Sequence, residues 1–298
     1  MSAPEATILF RNRLFAVGEF RCAPGDARWR TVNLIGDAPH VVYPGTSVVI
    51  QHDGSPPVLA NRNHVLFYDR EQRYRRSLHD ERGDHSVFVA LEPRLLAGLL
   101  RAAGVAGATF PFTHAPCDPR AYLLQHAAVR ELRRPEPDVE TVQEAVLEAL
   151  GRSLGAAAAF YRDTPTAARA RTAAAHVRLA EDAKGLLTER ATAREPLAEL
   201  ARDLHVSEFH LARVFRRVTG YSVHAYRTQL RLRLALDLLA LPDVGLTATA
   251  LAVGFSSHAH FTAAFSASFG FPPSAVQEAL GRPRELRRIV EAVPAARA

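Results

Sequence analysis

Residues 246–273, LTATALAVGFSSHAHFTAAFSASFGFPP, leave the backbone few choices. Leu246 to Val253 reads as a short apolar helix, Gly254 supplies the positive φ of a tight turn, and Ser256 can cap a second helix through its hydroxyl. Phe261, Phe265 and Phe269 then recur at i, i+4 and i+8. The second helix, Ser256 to Ser268, therefore has one face to bury and an opposite face left free. Gly270 stops it, and Pro272 and Pro273 forbid continuation and open a further short helix, Pro273 to Leu280. Helix, short glycine turn and second helix make the outline of a helix-turn-helix.

The same outline stands about fifty positions earlier. Leu197, Leu200, Ala201 and Leu204 form a first helix, Ser207 caps a second, and Leu211 and Phe215 are its apolar face. The punctuation repeats as well: Phe215 leads to Gly220 and Tyr221 as Phe265 leads to Gly270 and Phe271. Between the copies, Val223, Tyr226, Leu230, Leu234 and Leu241 mark a long connecting helix with Arg227, Arg231 and Arg233 on its other sides. A duplicated pattern is far less frequent by chance than either copy alone.

The segment GFSSHAHFTAAFSASFGFPPSA, preceded by HVSEFHLARVFRRVTGYSVHAYR, resembles the double helix-turn-helix of the AraC/XylS transcription regulators over roughly residues 172 to 280. The resemblance implies two recognition helices entering successive major-groove segments on one face of a duplex. It places base-reading positions on Phe209, Ala212 and Arg213 in the first helix, and on His258, Ala259, His260 and Ala263 in the second. Arg213 has the chemistry to bond guanine O6 and N7 together, and Arg216 and Arg217, one turn on, suit phosphates. Ser207 and His210 complete the first contact set. The second helix holds no Lys or Arg. Ser266 and Ala267 stand where the family often has basic residues, and Thr249 stands where a branched aliphatic is usual. Weaker contacts through Ser256, Ser257, His258 and His260 are expected there. Ala212, Ala259 and Ala263 permit close approach or touch a thymine methyl. A regulator of this kind implies double-stranded promoter DNA, RNA polymerase and a second copy of the chain as partners, with no membrane partner and no cofactor.

With 298 residues the chain has room for about two domains. Residues 170–298 hold 17 Lys/Arg against 12 Asp/Glu, and residues 1–169 hold 20 against 19, so the basic excess lies in the helical part. Cys22 and Cys117 are too few for a disulfide scaffold and have no metal-ligand spacing. Arginines interrupt the amino-terminal stretch where a signal peptide needs an apolar core, and no run approaches membrane-spanning length, so a cytoplasmic protein is expected.

From Leu14 to about Leu91 the period is two. Arg28–Ile35, Ser47–Asp53, His64–Asp69 and Ser86–Leu91 read as strands between Pro-Gly, Asp-Gly-Ser-Pro-Pro and Arg-Gly-Asp turn signals, which suggests an antiparallel sandwich or barrel. The resemblance implies a cupin-like jelly roll here that binds a small effector. Trp29, Thr31, Tyr43, Gln51, His64 and Tyr68 are the side chains able to sort a ligand in such a cavity, although core packing suits each of them still better. A metal-dependent enzyme would need clustered imidazoles and a carboxylate. His40, His52, His64, His79, His85 and His114 are dispersed, and His258 and His260 point apart on a helix, so neither a metal site nor catalysis is expected. Nothing in the sequence separates an effector pocket from a filled structural barrel.

The segment from Asp138 to Tyr161 carries Val139, Val142, Val146, Leu150, Leu154, Ala157 and Tyr161 as one stripe. Either its own barrel or the segment Tyr122 to Leu132 covers it, or a second copy does. Asp163 to Arg171 reads as a linker. The fold class expected is thus α+β: a jelly-roll sensor domain over residues 1–118, a helical linker and dimerisation segment over 119–165, an all-α double helix-turn-helix domain over 166–281, and a basic tail over 282–298.

Overall fold

The computed structural model describes residues 6–163, 170–282 and 286–292. It divides into two compact units, one made of the chain up to Tyr161 together with the chain from Val290 on, and one running from Arg162 to Ile289.

The first unit is built on two antiparallel sheets. One has the order β1 (Ala6–Arg11), β2 (Phe15–Cys22), β9 (Asp84–Leu91), β4 (His40–Pro44), β7 (His64–Tyr68) and β10 (His114–Pro116). The other has the order β3 (Asn33–Leu34), β8 (Arg73–Leu78), β5 (Val48–His52) and β6 (Val58–Ala60). Val48, Ile50, Ala60 and Tyr74 from the smaller sheet share one buried cluster with Leu66 and Tyr68 from the larger, so the two inner faces meet in a sandwich. The α+β class and the antiparallel N-terminal domain stand as expected.

The strand list needs correction. Arg28–Ile35 is not one strand: Ala27–Arg30 is a single turn of 3-10 helix, and only Asn33–Leu34 pairs with β8. Asp26 accepts from the Arg28 amide at 2.8 Å and the Trp29 Nε1 donates to the Ala23 carbonyl at 2.7 Å, so local turn chemistry overrides the β-formers Trp29, Thr31 and Val32. Strand β8 (RYRRSL) hides in the sequence because one of its two buried side chains is Arg76.

Two helices, α2 (Pro119–Leu132) and α3 (Val139–Asp163), belong to this unit. The Tyr43 hydroxyl on β4 bonds the Ser153 Oγ on α3 at 2.9 Å, and Asn12 donates to Gln143 at 2.8 Å. Val142, Val146, Leu150, Leu154 and Ala157 are at most 2% exposed. The middle of the stripe is therefore covered within the chain, whereas its end members Val139 and Tyr161 are each 38% exposed. Helix α1 (Pro93–Ala102) starts on Glu92, which accepts from the Leu95 amide.

His52 on β5 is packed against the touching Tyr68 and Tyr74 rings, 4.5 and 6.4 Å away, and its Nε2 has no hydrogen-bond partner. Burial pushes its pKa down to about 4. The unfolded chain therefore binds a proton that the folded one refuses between about pH 6.5 and 4, and stability falls as the pH drops through that window, by up to about 3 kcal/mol. Urea denaturation at pH 7 and pH 5 checks this, with His52→Phe expected to flatten the difference.

The second unit is all-helical: α4 (Ala170–Glu189), α5 (Leu197–Asp203), α6 (Glu208–Thr219), α7 (Val223–Leu239), α8 (Leu246–Ala252), α9 (His258–Phe269) and α10 (Pro273–Gly281), with α11 (Leu286–Ala292) after them. Ala180, Ala183 and Leu187 of α4 join Leu200, Leu211, Phe215, Tyr226 and Leu230 in one core cluster. Leu241 lies past the end of α7 and is 50% exposed rather than part of its buried stripe. Of the expected linker, residues 164–169 lie outside the described residues, as do 283–285 and 293–298 of the tail.

Candidate nucleic-acid interface

Helices α6 and α9 divide cleanly into two faces. On α6, Leu211, Val214 and Phe215 are fully buried, whereas Phe209, Arg213, Arg216 and Arg217 face solvent, Phe209 being 78% exposed. Ser207 caps the helix, its Oγ accepting from the His210 amide at 3.2 Å, and His210 is half-buried. On α9, Phe261, Phe265 and Phe269 are fully buried and in contact in sequence, edge-to-face and tilted, with ring centroids 5.5 and 4.6 Å apart. Ser256, Ser257, His258, Ala259, His260 and Ala263 are exposed.

The cap of α9 differs from expectation. Ser257, not Ser256, accepts from the His260 amide at 3.2 Å. The second copy has one more residue between turn and cap than the first, where Val206 alone separates His205 from Ser207. Ser256 thus lies in the turn itself. The two turns share a left-handed residue, His205 at φ 55° and Gly254 at φ 93°. Thr249 is fully buried, and its hydroxyl is satisfied by the Gly245 carbonyl at 3.1 Å.

Charge is concentrated on α6. The Arg217 guanidinium touches the His176 ring on α4, and the His210 ring lies tilted against the same ring at 5.7 Å. Burial, then Arg217, His210 and Arg213, hold the His176 pKa below its ordinary value. The corresponding face of α9 offers hydroxyls, imidazoles and methyl groups.

Several arginines of this unit serve the frame instead. Arg231 on α7 donates from Nε to the Ala191 carbonyl at 2.8 Å and from Nη2 to the Ala193 carbonyl at 2.7 Å. Arg227 pairs with Glu195 at 3.2 Å, and Arg233 is 1% exposed. Arg194 donates to the Phe255 carbonyl at 3.1 Å, so the loop between α4 and α5 reaches the turn of the second copy. None of these links was legible from spacing. Helix α4 had a signal, the apolar spacing of Leu179, Ala180, Ala183 and Leu187.

Residues 200–279 match the family described as helix-turn-helix domain. The C-terminal unit holds an AraC-type helix-turn-helix domain. This AraC-type domain is 33% identical over 76 residues to the Msm operon regulatory protein of Streptococcus mutans, covering 26% of this chain and 27% of that protein. It is 37% identical over 83 residues to the uncharacterized HTH-type transcriptional regulator YidL of Escherichia coli K12, covering 28% of each. The match thus spans about a quarter of the length of these curated relatives. Among solved structures, apo ToxT of Vibrio cholerae aligns over 91% of this chain and 99% of its own, at 12% identity and a TM-score of 0.38. No helix among the described residues is long and apolar enough to cross a membrane.

Apart from the AraC-type domain, a cavity of about 210 Å³ lies in the sheet unit. Of the six side chains expected to sort a ligand, Tyr68 lines it. Trp29 packs at the edge of the adjoining core cluster. Tyr43 turns to α3, and His64 is buried with Nδ1 3.0 Å from the Asn61 Oδ1. Thr31 and Gln51 are exposed, Gln51 donating to the Ser55 carbonyl at 3.3 Å. Sequence reasoning missed His40, Tyr74, Arg76 and Asp84, which line the cavity. Their alternation along β4, β8 and β9 was the available signal. Among the described residues, no group of three or more His, Cys, Asp or Glu could hold a metal ion.

Proposed function

We propose that the chain is a cytoplasmic, sequence-specific DNA-binding transcription regulator whose promoter contacts are made by α6 and α9 and tuned by a small molecule held between the sheets. Within it, residues 1–118 act as sensor, 119–165 as helical connection and 166–281 as the DNA-binding part. The observation that carries this reading is the pair of capped helices, each burying its apolar face and presenting the other to solvent. A second copy of the chain and RNA polymerase are the further partners open to such a regulator.

The two helices contribute unequally in this reading. Helix α6 presents three exposed arginines and α9 presents none, so α6 supplies most of the affinity. Arg213 reads guanine, and Arg216 and Arg217 hold phosphates, with Ser207, Phe209 and His210 beside them. On α9, Ser256, Ser257, His258 and His260 make the weaker set.

Selection of random duplexes by the full chain tests the function: two enriched segments about one helical turn apart support it, and no enrichment sinks it. On the winning duplex, Arg213→Ala is expected to cost about 1–3 kcal/mol and relax preference at one base position. Equal loss on specific and scrambled DNA would show a phosphate clamp instead.

A further inference from the structure

The cavity wall contains one strong charge pair, and its members are already committed to each other. Arg76 and Asp84 are 4% and 5% exposed, with Nη1 2.7 Å from Oδ2. The Tyr74 hydroxyl takes a further guanidinium hydrogen bond, and the Phe20 ring lies 4.3 Å beneath the guanidinium carbon. Ser86 donates to the other Asp84 oxygen at 2.5 Å. Burial works against the Arg76 charge, but Tyr74 and Asp84 outweigh it and keep Arg76 firmly protonated. Burial pushes the Asp84 carboxyl above its ordinary value, against the pull of Arg76 and Ser86. The 2.7 Å pair with a fixed cation and the Ser86 hydrogen bond favour the carboxylate, so the wall is close to neutral and the guanidinium faces a carboxylate, a phenol and a ring before any ligand arrives.

What remains uncommitted is neutral. Tyr68 is 3% exposed, lines the cavity, and its hydroxyl makes no hydrogen bond among the described residues. His40 also lines the cavity, and its Nδ1 sits 2.8 Å from the Ala38 carbonyl. A carbonyl only accepts, so Nδ1 carries the hydrogen and Nε2 is left as an acceptor. The rest of the wall is apolar, including Val42, Ile50, Leu66 and Phe88. A cavity of about 150 Å³ accommodates benzene, so one of about 210 Å³ accommodates a single substituted ring or its aliphatic equivalent.

We infer that the sheet unit binds a small, uncharged, largely apolar molecule carrying one hydroxyl, held between the Tyr68 hydroxyl and the His40 Nε2. This deepens the regulator reading and rests on it for the ligand's role as effector. A carboxylate is excluded by cost: it would enter a desolvated site whose only cation is already neutralised. A sugar is excluded by count, because two uncommitted polar groups cannot satisfy its several hydroxyls.

The test is calorimetric titration of the full chain with para-ethylphenol, para-ethylbenzoate and glucose at neutral pH. Para-ethylphenol is expected to bind, with the benzoate at least tenfold weaker and glucose without detectable heat. Tyr68→Phe keeps the shape and should weaken the phenol about tenfold. Leu66→Trp fills the cavity and should abolish its binding; if that variant does not fold, the isosteric Tyr68→Phe carries the test alone. Equal or tighter binding of the benzoate, heat from glucose, an unchanged Tyr68→Phe, or no binding of any probe overturns the inference. The same preparations are titrated with the selected duplex. Specific DNA binding without phenol binding sinks the ligand class and leaves the regulator, whereas phenol binding without specific DNA binding does the reverse.

Discussion

Asp84→Ala is expected to destabilise the sheet unit by about 3–5 kcal/mol, because it leaves a buried guanidinium without its counter-charge. Arg76 has little else to turn to: it is 4% exposed, its Nε has no partner, and its remaining neighbours are a phenol and an aromatic ring. The chain contains a single tryptophan, Trp29, and it lies beside this core, so fluorescence during urea denaturation reports on the sheet unit. Replacing the pair together, Arg76→Met with Asp84→Leu, should recover most of the loss, since apolar residues of similar volume fill the site without desolvation. A loss below about 1 kcal/mol for Asp84→Ala would mean that water reaches the guanidinium.

In the second unit, Gly254→Val is expected to cost about 3 kcal/mol or more and to disable the α8–α9 copy. Two effects add. Gly254 sits at φ 93°, where a β-branched residue is strained, and a Cβ there would stand 2.4 Å from the Thr192 carbonyl oxygen. That carbonyl belongs to the loop that Arg231 and Arg194 pin, so it cannot step aside cheaply. Thermal unfolding measures the loss, and DNA selection with the variant should retain one enriched segment and lose the other. The first copy is the control: His205 holds a comparable φ of 55° with a side chain, so His205→Val should do less harm than Gly254→Val.

Much of the C-terminal unit was legible because its signals are local. Capping serines, glycine stops and phenylalanines four apart act within one or two turns, and they place α5, α6, α8, α9 and α10 to within a residue or two. The one slip, Ser256 for Ser257, arises because two adjacent serines offer the same chemistry and only the backbone dihedrals choose between them. The sheet unit was legible in class and order but not in detail. Its strands are short, one carries an inward arginine, and pairing between β2 and β9 joins residues some seventy positions apart. The cavity lining failed for the same reason: Tyr43 and Val42 are neighbours, and register alone decides that Val42 faces the cavity and Tyr43 faces α3. The frame of arginine-to-carbonyl bonds was invisible, since a backbone acceptor leaves no mark in composition.

The pinned loop between α4 and α5 carries a consequence for the DNA itself. It bonds to α7 through Arg231 and to the turn before α9 through Arg194, so in the regulator proposed above the frame between the two helices expected to read DNA is braced. A duplex rotates by about 35° for each base pair. A target with one base pair added between its two segments therefore presents the second at the wrong azimuth, and a protein whose frame cannot twist to follow it treats spacing as part of the message.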